Sequence, residues 1–175
     1  IVSTAAALAI FFFVGTETGR AAAAKVKEFF APEKEIVQEL EGQNENTDIT
    51  LEKSEMGYII YIDESRYQKE SVDGKDRIVF KEKLDSNIPA VYMEIEQIKD
   101  KSPEDLAAQI EDELKSNFTT VRNEGQVTEP LKAINLYARN GDEWNSKVVE
   151  YYLVDNGKGG AFVIKQQFFY EASEG

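Results

Sequence analysis

AVYMEIEQIKDKSPEDLAAQIEDELKSNF, residues 90–118, changes its period part-way along. At its start Val91, Met93 and Ile95 alternate with Tyr92, Glu94 and Glu96, the two-residue repeat of a strand with one buried face and one wet or partly covered face. From Ser102 the repeat becomes helical. Ser102 is placed as an N-cap, Pro103 suits the first helical position, and Glu104 and Asp105 favour the positive helix end. Leu106, Ile110 and Leu114 then recur every four residues beside Ala107 and Phe118, a stripe expected to lie on a sheet.

Working outward, the period-two pattern continues on both sides. EIVQELE (35–41), TDITLEK (47–53), GYIIYID (57–63) and DRIVFKEK (76–83) precede it, separated by turn-forming stretches such as EGQNENT and SVDGKD. LKAINLYAR (131–139), KVVEYYLVD (147–155) and AFVIKQQFFYE (161–171) follow, the last two joined by the hairpin signal NGKGG. The fold class expected is α+β: an antiparallel sheet covered by helices, preceded by an apolar N-terminal helix.

That apolar helix is IVSTAAALAIFFFV, residues 1–14, which carries no charge in a chain of net charge −13. It falls short of the ~20 apolar residues of a spanning helix. Because the sequence begins with Ile, the run is read as the outer part of a longer apolar segment. A cleaved signal would use Ala21–Ala24, but Glu17 and Arg20 stand between them and the run. A core helix would need a polar face, and Phe11, Phe12 and Phe13 after Ala5–Ala7 leave none. The reading adopted is a truncated membrane anchor or signal segment over 1–18, a linker or stalk helix over 19–32 that Pro32 stops, and an α+β domain over 33–175. Arg20, Lys25 and Lys27 weigh against an outside location for the domain.

Composition narrows the chemistry. The 175 residues hold no Cys and no His. A Ser-His-Asp triad, a His-ligated zinc, a thiolate cage and a Cys nucleophile are therefore excluded within this sequence, which leaves carboxylate, Lys or Tyr chemistry. The net charge makes nucleic acid a poor partner and favours a basic protein or peptide.

Several motifs resolve into plainer readings. DNGKGG (155–160) has strand-like flanks, so it reads as a hairpin turn and not as a phosphate or calcium loop. Glu94, Glu96, Asp100, Glu104 and Asp105 imitate a paired-carboxylate site but read as a solvated strand edge and a helix start. Asn117-Phe118-Thr119 matches a glycosylation sequon, a pattern too short to weigh. Tyr151, Tyr152, Phe162, Phe168, Phe169 and Tyr170 lie on both faces of the last strands, so some must meet a cover or a partner. Trp144, the one Trp, sits in the polar loop RNGDEWNSK, either as an exposed anchor or folded back on the sheet rim. Trp144, Tyr152 and Tyr170 are the candidate partner-binding residues; no catalytic, cofactor or metal residue is assigned.

GYIIYIDESRYQ (57–68), a strand running into a turn with a large aromatic, resembles the opening of PsbP-like domains, and the element order through VYMEIEQI, SPEDL, VTEPLKAINLYAR and AFVIKQQFFYEASEG is similar to theirs. The resemblance covers about 57–175 and departs at Ser65-Arg66-Tyr67, where that family often has Pro-x-x-Trp. It implies a PsbP-like sandwich whose last helix would begin near Gly175. Taken whole, the chain resembles membrane-anchored proteins of low-GC Gram-positive bacteria, including ectodomains of anti-sigma-factor-like regulators. That likeness implies a single-pass extracytoplasmic binding or sensory domain, with a secreted PsbP-like accessory factor and a carboxylate-dependent enzyme as the alternatives.

Overall fold

The computed structural model describes residues 33–40, 43–54, 56–129 and 131–173. The apolar segment 1–18 and the stalk 19–32 lie outside the described residues. Among the described residues ten strands and one α-helix follow in the order β1 (Glu33–Leu40), β2 (Gln43–Lys53), β3 (Ile59–Ile62), β4 (Tyr67–Val72), β5 (Lys75–Phe80), β6 (Tyr92–Ile98), α1 (Pro103–Asn117), β7 (Thr120–Val127), β8 (Ala133–Arg139), β9 (Lys147–Asp155) and β10 (Ala161–Phe169), with a 3₁₀ turn over Tyr170–Ser173. They form an antiparallel three-stranded sheet, β1-β2-β3, and an antiparallel seven-stranded sheet in the order β4-β5-β6-β10-β9-β8-β7. The fold is α+β.

Alternation along the strands sorts the side chains of the larger sheet onto two faces. Ile78, Met93, Ile95, Phe162, Ile164 and Tyr152 form one face, and Tyr58, Ile60 and Ile62 close over it from the β3 segment. Tyr58 meets Phe162 edge to face, with centroids 5.9 Å apart. On the other face Ile134, Leu136, Val149, Leu153 and Val163 receive Leu106, Ala107 and Leu114 of α1. Among the described residues, then, a helix covers one face and the β3 segment closes over the other, where helices on the sheet were expected.

The helix forms as its sequence predicts. The Ser102 hydroxyl accepts from the Asp105 amide at 3.1 Å, and Pro103 opens the first turn. Its buried face is Leu106, Ala107 and Leu114; Ile110, expected at the centre of the stripe, is half-buried. The reason is placement: α1 packs mainly on β7, β8 and β9, so the Ile110 side chain lines a groove between the helix and β6.

Two strands escaped the pattern. YQKESV and TVRNEGQV form β4 and β7, the two edges of the larger sheet. An edge strand buries little, so its sequence need not alternate. A two-residue turn joins β4 to β5, with Asp73 at φ 52° and Gly74 at φ 77°, the left-handed pair that matches strand twist. NGKGG is the hairpin that the sequence predicts: the Asn156 side chain accepts from the Lys158 and Gly160 amides. Gly160 is required there because a Cβ would meet the Ile98 carbonyl oxygen at 2.2 Å.

Candidate functional site

The loop between β8 and β9 is held by its own backbone. The Ser146 amide donates to the Glu143 carbonyl at 2.8 Å, and the Tyr170 and Glu171 amides donate to Ser146 and Trp144, each at 2.9 Å. Asn145 reaches across to the Asn87 carbonyl at 3.0 Å. Trp144 is thereby presented at 50% exposure while one edge of its ring packs on Phe169, with centroids 6.5 Å apart and planes at 84°. Both sequence readings of Trp144 are thus partly realised: it is pinned on the rim and it is open to solvent. Beside it the Arg139 guanidinium stacks 4.0 Å from the Tyr170 ring centroid and pairs with Asp142.

The structure brings Trp144 and Tyr170 together and leaves Tyr152 out. Tyr152 is 8% exposed and belongs to the core between the two sheets, so it presents no surface to a partner. Burial, reinforced by the neighbouring Glu150 carboxylate, pushes its phenol far above the usual range. It is a structural residue. Parity along β9 puts Tyr152 on the face that β3 closes, which the sequence of β9 alone does not disclose.

The acidic cluster is dispersed. β6 is an interior strand, not an edge, and the charges of β5 answer its carboxylates: Lys75 lies 3.2 Å from Glu96, and Arg77 lies 3.8 Å from Glu94 while stacking 4.0 Å from the Tyr92 ring centroid. Asp105 belongs to the helix cap, where its carboxylate accepts from the Ser102 hydroxyl. Between this strip and α1 runs a groove of about 470 Å³ with Lys165 and Ile110 in its lining. Burial lowers the Lys165 pKa, but Tyr151, Tyr92 and Glu94 outweigh it and hold the ammonium above its ordinary value. A nucleophilic lysine needs the opposite shift. Among the described residues no group of three or more acidic side chains is placed to hold a metal ion, and no helix is long and apolar enough to cross a membrane.

Sequence reasoning missed one polar centre. Asp76, on the core side of β5, is buried and accepts from the Ser54 hydroxyl at 2.5 Å and from the Tyr58 hydroxyl, while Lys69 Nζ lies at 3.4 Å. Burial raises its pKa; the hydrogen bonds from Ser54 and Tyr58 and the Lys69 charge outweigh that, and the carboxyl ends below its usual value. Two hydroxyls and an ammonium of this chain converge on its Oδ2, so the arrangement fastens the β2–β3 turn to β5. The signal available was parity: Asp76 falls two residues before Ile78, on the face that should be apolar. Next to it lies a cleft of about 800 Å³ running past β4, with Ser54, Met56, Ile62, Tyr67 and Lys81 among its walls.

In comparisons with known proteins, no family model, no curated protein and no solved structure matches this chain.

Proposed function

We propose that the chain is a membrane-anchored, extracytoplasmic domain that binds a protein or peptide partner and performs no turnover. Trp144 carries the reading. A large aromatic half open to solvent, on a loop already fixed by backbone hydrogen bonds, is an anchor whose ordering cost is met before a partner arrives. The charge of −13 gives a field that steers a basic partner. The raised Lys165 and Tyr152 pKa values, with His and Cys absent from the sequence, leave poor groups for proton transfer near neutral pH. The order of a strand run, a capped helix and four further strands supports a sandwich of the PsbP-like kind. The apolar run 1–14 supports the anchor, in keeping with the anti-sigma-factor-like ectodomains that the sequence resembles.

The test expresses the full chain in cells, fractionates them, and captures partners from envelope extract with the parent chain and with Trp144→Ala. The expected result is membrane association that a chain beginning at Gly19 loses. Capture should weaken about thirtyfold with Trp144→Ala, the scale of a hot-spot residue, and should fall at raised salt. Capture indifferent to both changes removes the anchor and the steering. A metal-dependent or substrate-consuming activity of the purified chain overturns the binding reading altogether.

A further inference from the structure

The two-residue turn at Asp73-Gly74 fixes which backbone groups of β4 face outward. Val72 and Lys75 close the turn as a hydrogen-bonded pair, so Glu70 with Arg77 and Gln68 with Val79 repeat it every second residue. The N–H and C=O groups of Lys69 and Ser71 therefore point away from β5. β4 ends the sheet, and among the described residues no strand lies beyond it. Its pairing with β5 runs without a bulge over all six residues, about 20 Å of straight edge.

The cleft of about 800 Å³ lies along this edge. It is lined by Gln68, Lys69, Glu70 and Ser71, consecutive residues whose side chains lie on alternate faces, so it wraps the rim of the strand instead of covering one side of it. Its charges are unequal in freedom. Lys69 is held by Asp76, and Lys81 Nζ donates to the Glu64 carbonyl. Glu64 and Glu70 are exposed and have no cationic partner among the described residues. An unpaired backbone edge beside a cleft whose lining holds three carboxylates, Glu64, Glu70 and Asp76, against two ammonium groups, Lys69 and Lys81, on a chain of net charge −13, is complementary to an extended basic segment.

We propose that the outer edge of β4 takes up an extended basic peptide as an eighth, antiparallel or parallel, strand of the larger sheet. Main-chain bonds to Lys69 and Ser71 supply affinity without sequence preference, and the cleft with Glu64 and Glu70 selects basic side chains on the incoming strand. A second copy of the chain is disfavoured at this edge because each copy carries a net charge of −13. The proposal stands on a different surface from Trp144 and does not depend on the membrane anchor.

The probe is a blocked eight-residue peptide of alternating lysine and valine, added to the full chain. Controls are the glutamate-valine counterpart and the lysine-valine peptide N-methylated at adjacent central residues, so that neither of its edges can pair. The lysine-valine peptide is expected to slow amide exchange at Lys69 and Ser71 at least tenfold and to leave the β7 amides unchanged. Either control peptide, or Ser71→Pro, which removes an outward amide while keeping the ladder to β5, should weaken binding at least tenfold; Glu70→Gln should weaken it a few-fold. Trp144→Ala should leave it unchanged, which separates failure here from failure of the Trp144 anchor. Should Ser71→Pro not fold, the N-methylated peptide asks the same question of the parent chain. Equal binding of the N-methylated peptide, or no binding of any peptide, overturns the proposal. Lys69 and Ser71 amides protected before peptide is added would place another part of this chain on the edge. A concentration-dependent dimer abolished by Ser71→Pro would place a second copy there. Either result overturns it too.

Discussion

The two edges of the seven-stranded sheet, β4 and β7, are alike in sequence and unlike in structure. Both are polar, and each carries one cationic and one acidic side chain. β7 is broken by a bulge between Asn123 and Gly125, where Gly125 takes φ 70° and its amide donates to the Asn123 side chain. The Asn123 amide group in turn donates to Glu111 of α1 at 2.6 Å, so a helix side chain is tied to the strand. β4 has no bulge and, among the described residues, no helix beside it; its guard is the Asp76 centre on its inner side, and its outer side adjoins a cleft. Sheet edges invite pairing and are ordinarily blunted. Among the described residues one edge of this sheet is blunted and the other is left open, and this asymmetry is the physical content of the strand-addition proposal.

The largest expected effect tests the packed side. Leu114 is buried under β8 and β9, so Leu114→Ala should cost about 2 to 5 kcal/mol through lost burial and a cavity, read from urea or thermal unfolding. A cost no greater than that of an exposed residue would mean that α1 does not hold this half of the sheet.

Next comes the polar side, where Asp76→Ala removes the acceptor of two hydroxyls and the counter-charge of Lys69 and should cost about 2 kcal/mol at neutral pH. The folded-state pKa of Asp76 lies below its unfolded value. Its contribution is therefore complete above the ordinary carboxylate range and is lost as pH falls through the folded value. The stability gap between the parent and Asp76→Ala should narrow below about pH 4, while the Leu114→Ala gap should not follow. A gap that is flat across this range would remove the charge from the account of how β4 is held.

The smallest effect is at the bulge. An added Cβ at Gly125 meets nothing within 4 Å, so Gly125→Ala carries only the strain of a left-handed backbone, about 1 kcal/mol. Paired measurement of exchange along β7 would sharpen the comparison: loosened amides around Asn123 are expected, with β4 unaffected. A cost matching that of Leu114→Ala would mean that the bulge is packed and not merely bent.

The candidate surface was legible in the sequence only in part. Trp144 stood out because a lone Trp in a polar loop is conspicuous, and the structure keeps it half-exposed. Tyr170 arrives beside it because the chain turns back after Phe169. Tyr152 was misplaced for a simple reason: period two says that Tyr151 and Tyr152 take opposite faces but not how completely each face is covered at that point. The Asp76 centre joins residues 54, 58, 69 and 76 from the β2–β3 turn, β4 and β5, and no spacing in the sequence announces such a meeting.

By itself the sequence determined the element types. Alternation in 90–98 sets a strand with one apolar parity, the β-branched and aromatic runs of 133–139, 147–155 and 161–169 set strands buried on both, and Ser102-Pro103 with Leu106 and Leu114 sets a capped helix, because these are local consequences of backbone geometry and side-chain period. Tertiary structure alone decided the lateral order: β10 lies between β6 and β9, β4 and β7 become edges, and Glu94 and Glu96 meet Arg77 and Lys75. Those outcomes depend on pairings such as Ile95 with Ile164, far apart along the chain. Period reports which way a side chain points; it carries no information on which strand will lie next to it.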